Sequence, residues 1–332
     1  LEQSLRKATG RPLKQAGGRC RPVIQQFEVW SWVITLLKSS KWVCVTDCND
    51  PAMLGTDAKL EFIDRLIASG IRRMEVASFV NPKRVPQMAD SADILARVPR
   101  DKGVTYIGLA LNERGMARAL DAKCDEVNFV VVASDTFGLR NQNATPEQSL
   151  DVFEKMVGTA QQAETPCSIV IGAVWGCPFE GEVPVDKVVR IAARAAELGA
   201  SEIGLADSIG VADPWEVKRR VTAVQKVIGA IPLRCHFHNT RNTGIANATA
   251  AIDAGVRILD ASCGGIGGCP FAPGATGNIA TEDLAFMLDR AGFHTGIDLP
   301  QLIKTTHWLE TALDHSVPAM VSKAGLFPKA AA

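Results

Sequence analysis

The chain has 332 residues, enough for one large domain or two small ones. Hydrophobic residues make up 47% and charged residues 22%, and the formal net charge is zero with a pI of about 7.1. That balance is ordinary for a soluble globular protein and argues against a nucleic-acid partner or a polybasic membrane role, and no apolar run is long enough to span a bilayer.

Residues 1–48 form an atypical N-terminal segment. Three of the six tryptophans lie here (Trp30, Trp32, Trp42), basic residues outnumber acidic ones, and neither a helical nor a strand period persists. The apolar run 30–37 is short and lies far from the start for a signal peptide. Residues 43–46 are the best candidate for a first strand. Three readings stay open: an Arg-rich transit peptide, a divergent extension, or a segment out of frame with the rest. For the third, codons for residues 37–48 can be chosen so that a shifted frame reads A-E-V-V-E-V-G-L-R-D-G-L-Q and runs into Asn49-Asp50-Pro51. That alternative is an apolar strand ending in Arg-Asp-Gly.

From Lys59 onward the pattern is regular, and 49–332 reads as one domain. Short β-branched runs at 73–77, 104–111, 126–133, 167–174, 202–206, 233–238 and 258–262 predict strands. Amphipathic stretches at 58–69, 146–163, 185–198, 214–228 and 244–254 predict helices between them. Strands alternating with helices imply parallel pairing with right-handed crossovers. Seven such strands plus one near residue 45 would close an α/β (β/α)8 TIM barrel. An open doubly wound sheet is disfavoured, because no Gly-rich phosphate fingerprint follows an early strand. The end of the chain, from Leu299, reads as a helical extension packed outside the barrel.

The residues that carry chemistry cluster late. His236 and His238 alternate within an apolar run, so both imidazoles point to one face of a strand. Downstream, Gly264-Gly265-Ile266-Gly267-Gly268-Cys269-Pro270 puts a thiol on a glycine-rich loop. Together they suggest a metal site and an acid that closes over it; taken alone, the histidines could be hydrogen-bonded interior residues and the glycines a turn. In a barrel, functional groups sit at the C-terminal strand ends, where Glu75, Asp207, His236, His238 and Cys269 are all expected. The nine cysteines show neither CxxC pairs nor the spacing of a disulfide framework, so the expected compartment is reducing, most simply the cytoplasm.

With Arg73-Met74-Glu75-Val76-Ala77-Ser78-Phe79-Val80-Asn81-Pro82-Lys83, Gly176-Cys177-Pro178-Phe179-Glu180-Gly181, Leu205-Ala206-Asp207-Ser208-Ile209-Gly210, His236-Phe237-His238, the Cys269 loop and Gly277-Asn278-Ile279-Ala280-Thr281-Glu282-Asp283, the chain resembles the hydroxymethylglutaryl-CoA lyase family of metal-dependent barrel lyases. The resemblance runs from Asn49 to the region of Leu313. It implies retro-Claisen cleavage of 3-hydroxy-3-methylglutaryl-CoA to acetoacetate and acetyl-CoA, a step of leucine degradation. It also implies Mg²⁺ or Mn²⁺ held by His236, His238, Asn278 and an Asp from the end of the first strand. Cys269 would protonate the enolate, and Glu75 and Asp207 would orient groups or assist proton transfer. Glu282 would support the Cys269 loop or cap a helix.

The expected partner is an acyl-CoA substrate, and a homodimer is kept open. Arg241, Arg140 and Asn141, with Asn143, are candidates for the CoA moiety; a solvated-loop role is the alternative. Two departures matter. The family's Arg-Asp-Gly is absent, Cys44 and Val45 standing in the places of Arg and Asp. After the second His the chain has Asn239-Thr240-Arg241, where the family often has Asp and Tyr. A related lyase, for example for citramalyl-CoA, a condensing synthase, or a barrel that binds acyl-CoA without turning it over are the competing readings.

Overall fold

The computed structural model describes residues 28–32, 54–81, 83, 86–267 and 277–328. Eight parallel strands close a barrel in sequential order, each neighbour pair hydrogen-bonded. The strands are β1 (Glu28–Trp32), β2 (Arg73–Ser78), β3 (Thr105–Leu109), β4 (Glu126–Val132), β5 (Cys167–Gly172), β6 (Ile203–Asp207), β7 (Leu233–Phe237) and β8 (Ile258–Ser262). Helices fill the crossovers: α1 (Thr56–Ala68), α2 (Ser91–Arg97), α3 (Glu113–Asp121), α4 (Asp135–Gln142), α5 (Pro146–Gln162), α6 (Val185–Glu197), α7 (Pro214–Ile228) and α8 (Gly244–Asp253). After β8 come α9 (Thr281–Arg290), α10 (Leu299–Leu313) and the short α11 (Val321–Ala324).

The barrel expected from the alternating pattern is the barrel observed, with one change. The first strand is formed by Glu28–Trp32, paired to β8 and β2. The expected strand at 43–46 lies outside the described residues. A sheet with both edges in reach gains backbone hydrogen bonds on closure, so an extended segment completes the ring.

Local chemistry explains the helix starts. Thr145 and Gln148 form a reciprocal capping box ahead of Pro146, which has no N–H to leave unsatisfied. Asp213 caps α7 by accepting from Trp215 and Glu216, again with proline next. The buried stripe of α5 (Leu150, Phe153, Met156, Val157, Ala160) follows the helical period and packs on the outer face of β4, Phe153 lying 5.4 Å from Phe129 between ring centroids. Burying such a side chain contributes about 2 kcal/mol. At the far end α10 rests on α1, with Phe62 stacked on Trp308 at 5.8 Å and Ser69 bonded to Thr305.

The outer faces of the strands are apolar, whereas several inner faces are polar. On β4, Val127, Phe129 and Val131 alternate with Glu126 and Asn128, and on β7, Cys235 and Phe237 alternate with Arg234 and His236. Period-2 alternation thus places charged residues inside a barrel whose wall is otherwise a core.

Candidate active site

Charge is distributed in layers along the barrel axis. Arg73 bridges Glu126 (2.6 Å) and Glu202 (2.9 Å). Arg234, wholly buried, makes ion pairs with Glu202 (2.8 Å) and Asp260 (2.8 Å). Asp260 in turn lies 3.3 Å from Nδ1 of His236. Burial alone would raise the Asp260 carboxyl, but Arg234 and His236 hold it below the usual carboxylate range. Ser168 and Asn128 fill the remaining polar positions, Ser168 donating to Glu126 and Asn128 donating to Glu75 at 2.9 Å. A continuous chain of charges therefore runs from the interior to the first histidine.

The two histidines come together as the alternation requires. Their ring centroids are 5.1 Å apart, tilted by 55°, and both rings are buried. Burial, then the neighbouring His236, pushes the His238 pKa down to about 3, so its ring is neutral at pH 7. Neither ring nitrogen of His238 meets a hydrogen-bond partner among the described residues. Asn278 is drawn to this point by backbone stitching. His238 and Asn278 form a bridge, the Ile279 N–H donates to Phe237 O, and the Ser262 N–H donates to Ile279 O. The Asn278 amide nitrogen donates to Ile266 O (3.0 Å) and Gly267 O (3.3 Å). Its side-chain oxygen is therefore the atom suited to a cation. Two imidazoles and an amide oxygen are a mixed N/O donor set that a divalent metal accepts. Among the described residues no group of three or more His, Cys, Asp or Glu side chains converges for a metal.

Glu75 does not end its strand: it is the third residue of β2 and points into the barrel. Burial raises its carboxyl well above the usual range, against the lowering effect of Asn128 and Arg234. A carboxyl raised in this way exchanges its proton nearer neutral pH than an ordinary glutamate does. Asp207 does end β6, but both its oxygens are engaged by loop amides, Oδ1 by Val211 (3.0 Å) and Oδ2 by Ala212 (2.9 Å). It braces the β6–α7 loop. Ser208, next to it, accepts from the Ala173 N–H, and Ala173 is held at φ +57° where β5 leaves the barrel.

Glu282 is buried at the start of α9 and accepts from the Gly264 N–H (2.9 Å) and from the Thr306 hydroxyl. Burial pushes its pKa up to about 7. It caps no helix, since α9 has Ala280 at its N-cap with no side-chain cap bond; instead it anchors the root of the glycine loop. In that root Gly264, Gly265 and Gly267, and beyond it Gly277, have positive φ. Cys269 lies outside the described residues.

The CoA candidates fare differently from a solvated loop. Arg140 and Asn141 lie in α4, Asn141 buried and Arg140 stacked 4.2 Å over the Phe179 ring. Asn143 is the left-handed C-cap of α4. Arg241 donates to the carbonyls of Ile209 (2.8 Å) and Gly210 (3.2 Å). Sequence reasoning missed Asp260, Arg234, Asn128, Glu126 and Glu202. The available signal was a charged or amide residue at alternate positions of an apolar strand, as in Arg234-x-His236.

The HMGL-like family profile matches residues 48–309. The chain is 35% identical to the hydroxymethylglutaryl-CoA lyase YngG of Bacillus subtilis over 82% of its length and 91% of the relative. It is 41% identical to an (R)-citramalyl-CoA lyase of Chloroflexus aurantiacus over 83% of its length and 90% of the relative. Among solved structures, an HMG-CoA lyase of Acinetobacter baumannii in complex with coenzyme A and 3-methylmalate superposes with a TM-score of 0.83 at 37% identity, covering 91% of this chain and 95% of that one.

Proposed function

The chain belongs to the HMGL-like family, and from that premise we propose that it is a carbon–carbon lyase acting on a 3-hydroxyacyl-CoA, with 3-hydroxy-3-methylglutaryl-CoA as substrate and acetoacetate and acetyl-CoA as products. The observation that carries this reading is the pair His236 and His238, side by side at the end of β7 with Asp260 behind the first and Asn278 stitched to the second. His236, His238 and Asn278 would hold Mg²⁺ or Mn²⁺. The cation, when bound, supplies Lewis-acid polarisation of the substrate's tertiary hydroxyl and a fixed orientation for its carboxylate.

The chain's own groups do the rest. Asp260 fixes the His236 ring through Nδ1, so that Nε2 is the nitrogen turned to ligand. Glu75, its buried carboxyl raised above the usual range, is placed to exchange a proton within the mouth. The carbon–carbon bond would break as the hydroxyl passes its proton to the Glu75 carboxylate and the electron pair of the broken bond passes to the thioester as an enolate. Cys269 returns a proton to that enolate carbon from the glycine loop whose root Glu282 anchors. Asp207 acts indirectly, by holding the β6–α7 loop.

A second substrate, citramalyl-CoA, is supported by the 41% identity to the Chloroflexus lyase, and the departure at Asn239-Thr240-Arg241 after the second His leaves the acyl group open between the two. The test is a paired assay. The chain as it stands, and a version with residues 37–48 replaced by the shifted-frame segment carrying Arg-Asp-Gly, are titrated with Mn²⁺ and offered both thioesters. Turnover of 3-hydroxy-3-methylglutaryl-CoA by the second version, lost in Cys269→Ala without loss of Mn²⁺ binding, is the expected result. Turnover of neither thioester by either version overturns the proposal.

A further inference from the structure

Asn128 is the one amide in β4, an otherwise apolar run from Val127 to Val132, and it is buried. A buried amide is costly unless its donors and its acceptor are met. Here both ends are engaged. Nδ2 donates to Glu75 Oε2 at 2.9 Å, while Oδ1 is approached by Nη2 of Arg234 at 3.5 Å and by the Ser168 hydroxyl at 3.3 Å. Ser168 has a single hydrogen and gives it to Glu126 at 2.5 Å, so Arg234 is the donor that faces Oδ1. A guanidinium only donates and a carboxylate only accepts, so one orientation of the amide suits both neighbours. Arg234 reaches this point because residue 204 is glycine: a Cβ there would lie 3.5 and 3.6 Å from its Nη2 and Nε, and 3.0 Å from Val170 Cγ2. Glu75 Oε2 is thereby occupied, and Oε1 is left without a partner among the described residues.

We propose that Asn128 is a positioning residue for Glu75: it fixes Oε2, leaves Oε1 to meet the substrate hydroxyl, and stabilises the carboxylate form that takes the proton. The inference rests on the reading of Glu75 as proton acceptor given above. A neutral group that donates to a carboxylate favours its charged form. That donation matters because the surroundings of Glu75 pull against one another. Burial raises its carboxyl; Asn128 and then Arg234 on β7 lower it; Asp260 on β8 and Glu126 on β4 raise it again. Cys124, just before β4, is close enough to sense its charge. Arg234 is engaged with Glu202 and Asp260 at 2.8 Å each, so its short-range influence on Glu75 passes through the amide that it orients. Without Asn128, the carboxyl stays protonated to a higher pH and Oε2 is free to turn.

The test is an NMR titration of the intact protein, isotope-labelled at its glutamate carboxyls, with the Glu75 signal identified by its absence from Glu75→Gln. In Asn128→Leu the Glu75 midpoint should rise by at least about one pH unit, a roughly tenfold weaker acid. Asn128→Gln, which keeps an amide donor, should bring most of that back. Asn128→Ala makes the same comparison where the melting midpoint shows that the leucine variant does not fold. Turnover of 3-hydroxy-3-methylglutaryl-CoA by the version carrying Arg-Asp-Gly is the second readout. There the acidic limb of kcat should move upward by the same amount with KM little changed, whereas a structural loss would lower kcat alike at every pH. A Glu75 midpoint equal in wild type and variant, or a wild-type Glu75 still protonated at about pH 9, overturns the inference and leaves the lyase reading standing. A midpoint that moves while the kcat limb stays overturns Glu75 as the proton acceptor.

Discussion

Arg234→Met isolates the charge chain inside the barrel. The guanidinium is wholly buried and lies 2.8 Å from both Glu202 and Asp260. At an effective dielectric of about 20, each contact is worth roughly 6 kcal/mol of gross attraction. Most of that is offset by desolvating the three ions, so the measured quantity is the cost of stranding carboxylates. Methionine keeps an unbranched stem in much of the space, but leaves Asp260 with His236 alone and Glu202 with Arg73 alone. Breaking a buried pair from one side costs about 3–5 kcal/mol, and we expect that loss in urea unfolding at about pH 8. The sign with pH follows from linkage. In the wild type the Asp260 carboxyl is held low, and its contribution to stability is present above the unfolded pKa and lost on acidification. In the variant the stranded carboxyls are raised, so the folded state is penalised only as pH rises through their folded pKa values. Between about pH 5 and pH 8 the first contribution is fully present, so the second effect alone makes the deficit smaller at about pH 5 than at about pH 8. Combining Arg234→Met with Asp260→Asn should recover at least about 1 kcal/mol relative to additivity. A loss below about 1 kcal/mol at the higher pH, or a loss independent of pH, would show that the interior charges do not depend on Arg234.

Three further predictions test the site. Asp260→Asn should weaken Mn²⁺ binding about 10–100-fold, read by electron paramagnetic resonance titration, because the His236 ring loses its carboxylate partner; unchanged affinity removes Asp260 from the positioning of His236. Glu282 has a folded pKa of about 7, raised by burial above its unfolded value, so it favours the fold most below the unfolded pKa. That contribution is lost as pH rises through 7, at most about 3 kcal/mol in all. Glu282→Gln should flatten the fall in urea midpoint over this window, and parallel pH profiles would count against a buried, protonating Glu282. Gly277→Ala places a Cβ 2.4 Å from the Gly265 carbonyl at φ +97°. It should cost about 1–3 kcal/mol and weaken Mn²⁺ binding through the adjacent Asn278; a melting midpoint equal to wild type would mean that the two loop ends are not in contact.

The sequence by itself carried the barrel and the pairing of the histidines. Both are consequences of period: strands alternating with helices force parallel crossovers, and residues two apart on a strand share a face. Hence 258–262 was read as a strand with its observed bounds, and His236 and His238 as neighbours, without any tertiary information. Period also says which residues face inward, but not whom they meet there. Arg73 and Glu202 are 129 residues apart, and Asn128 and Arg234 are 106 apart. Only closure of the ring brings them together, because it brings side chains from β2, β4, β7 and β8, and from the start of β6, to one axis. The same closure converted Asp207 from a free strand-end acid into the brace of a loop, and placed Glu75 inside the wall beside Asn128. A carboxylate's role is set by the donors that reach it, and those donors come from elements remote in the chain.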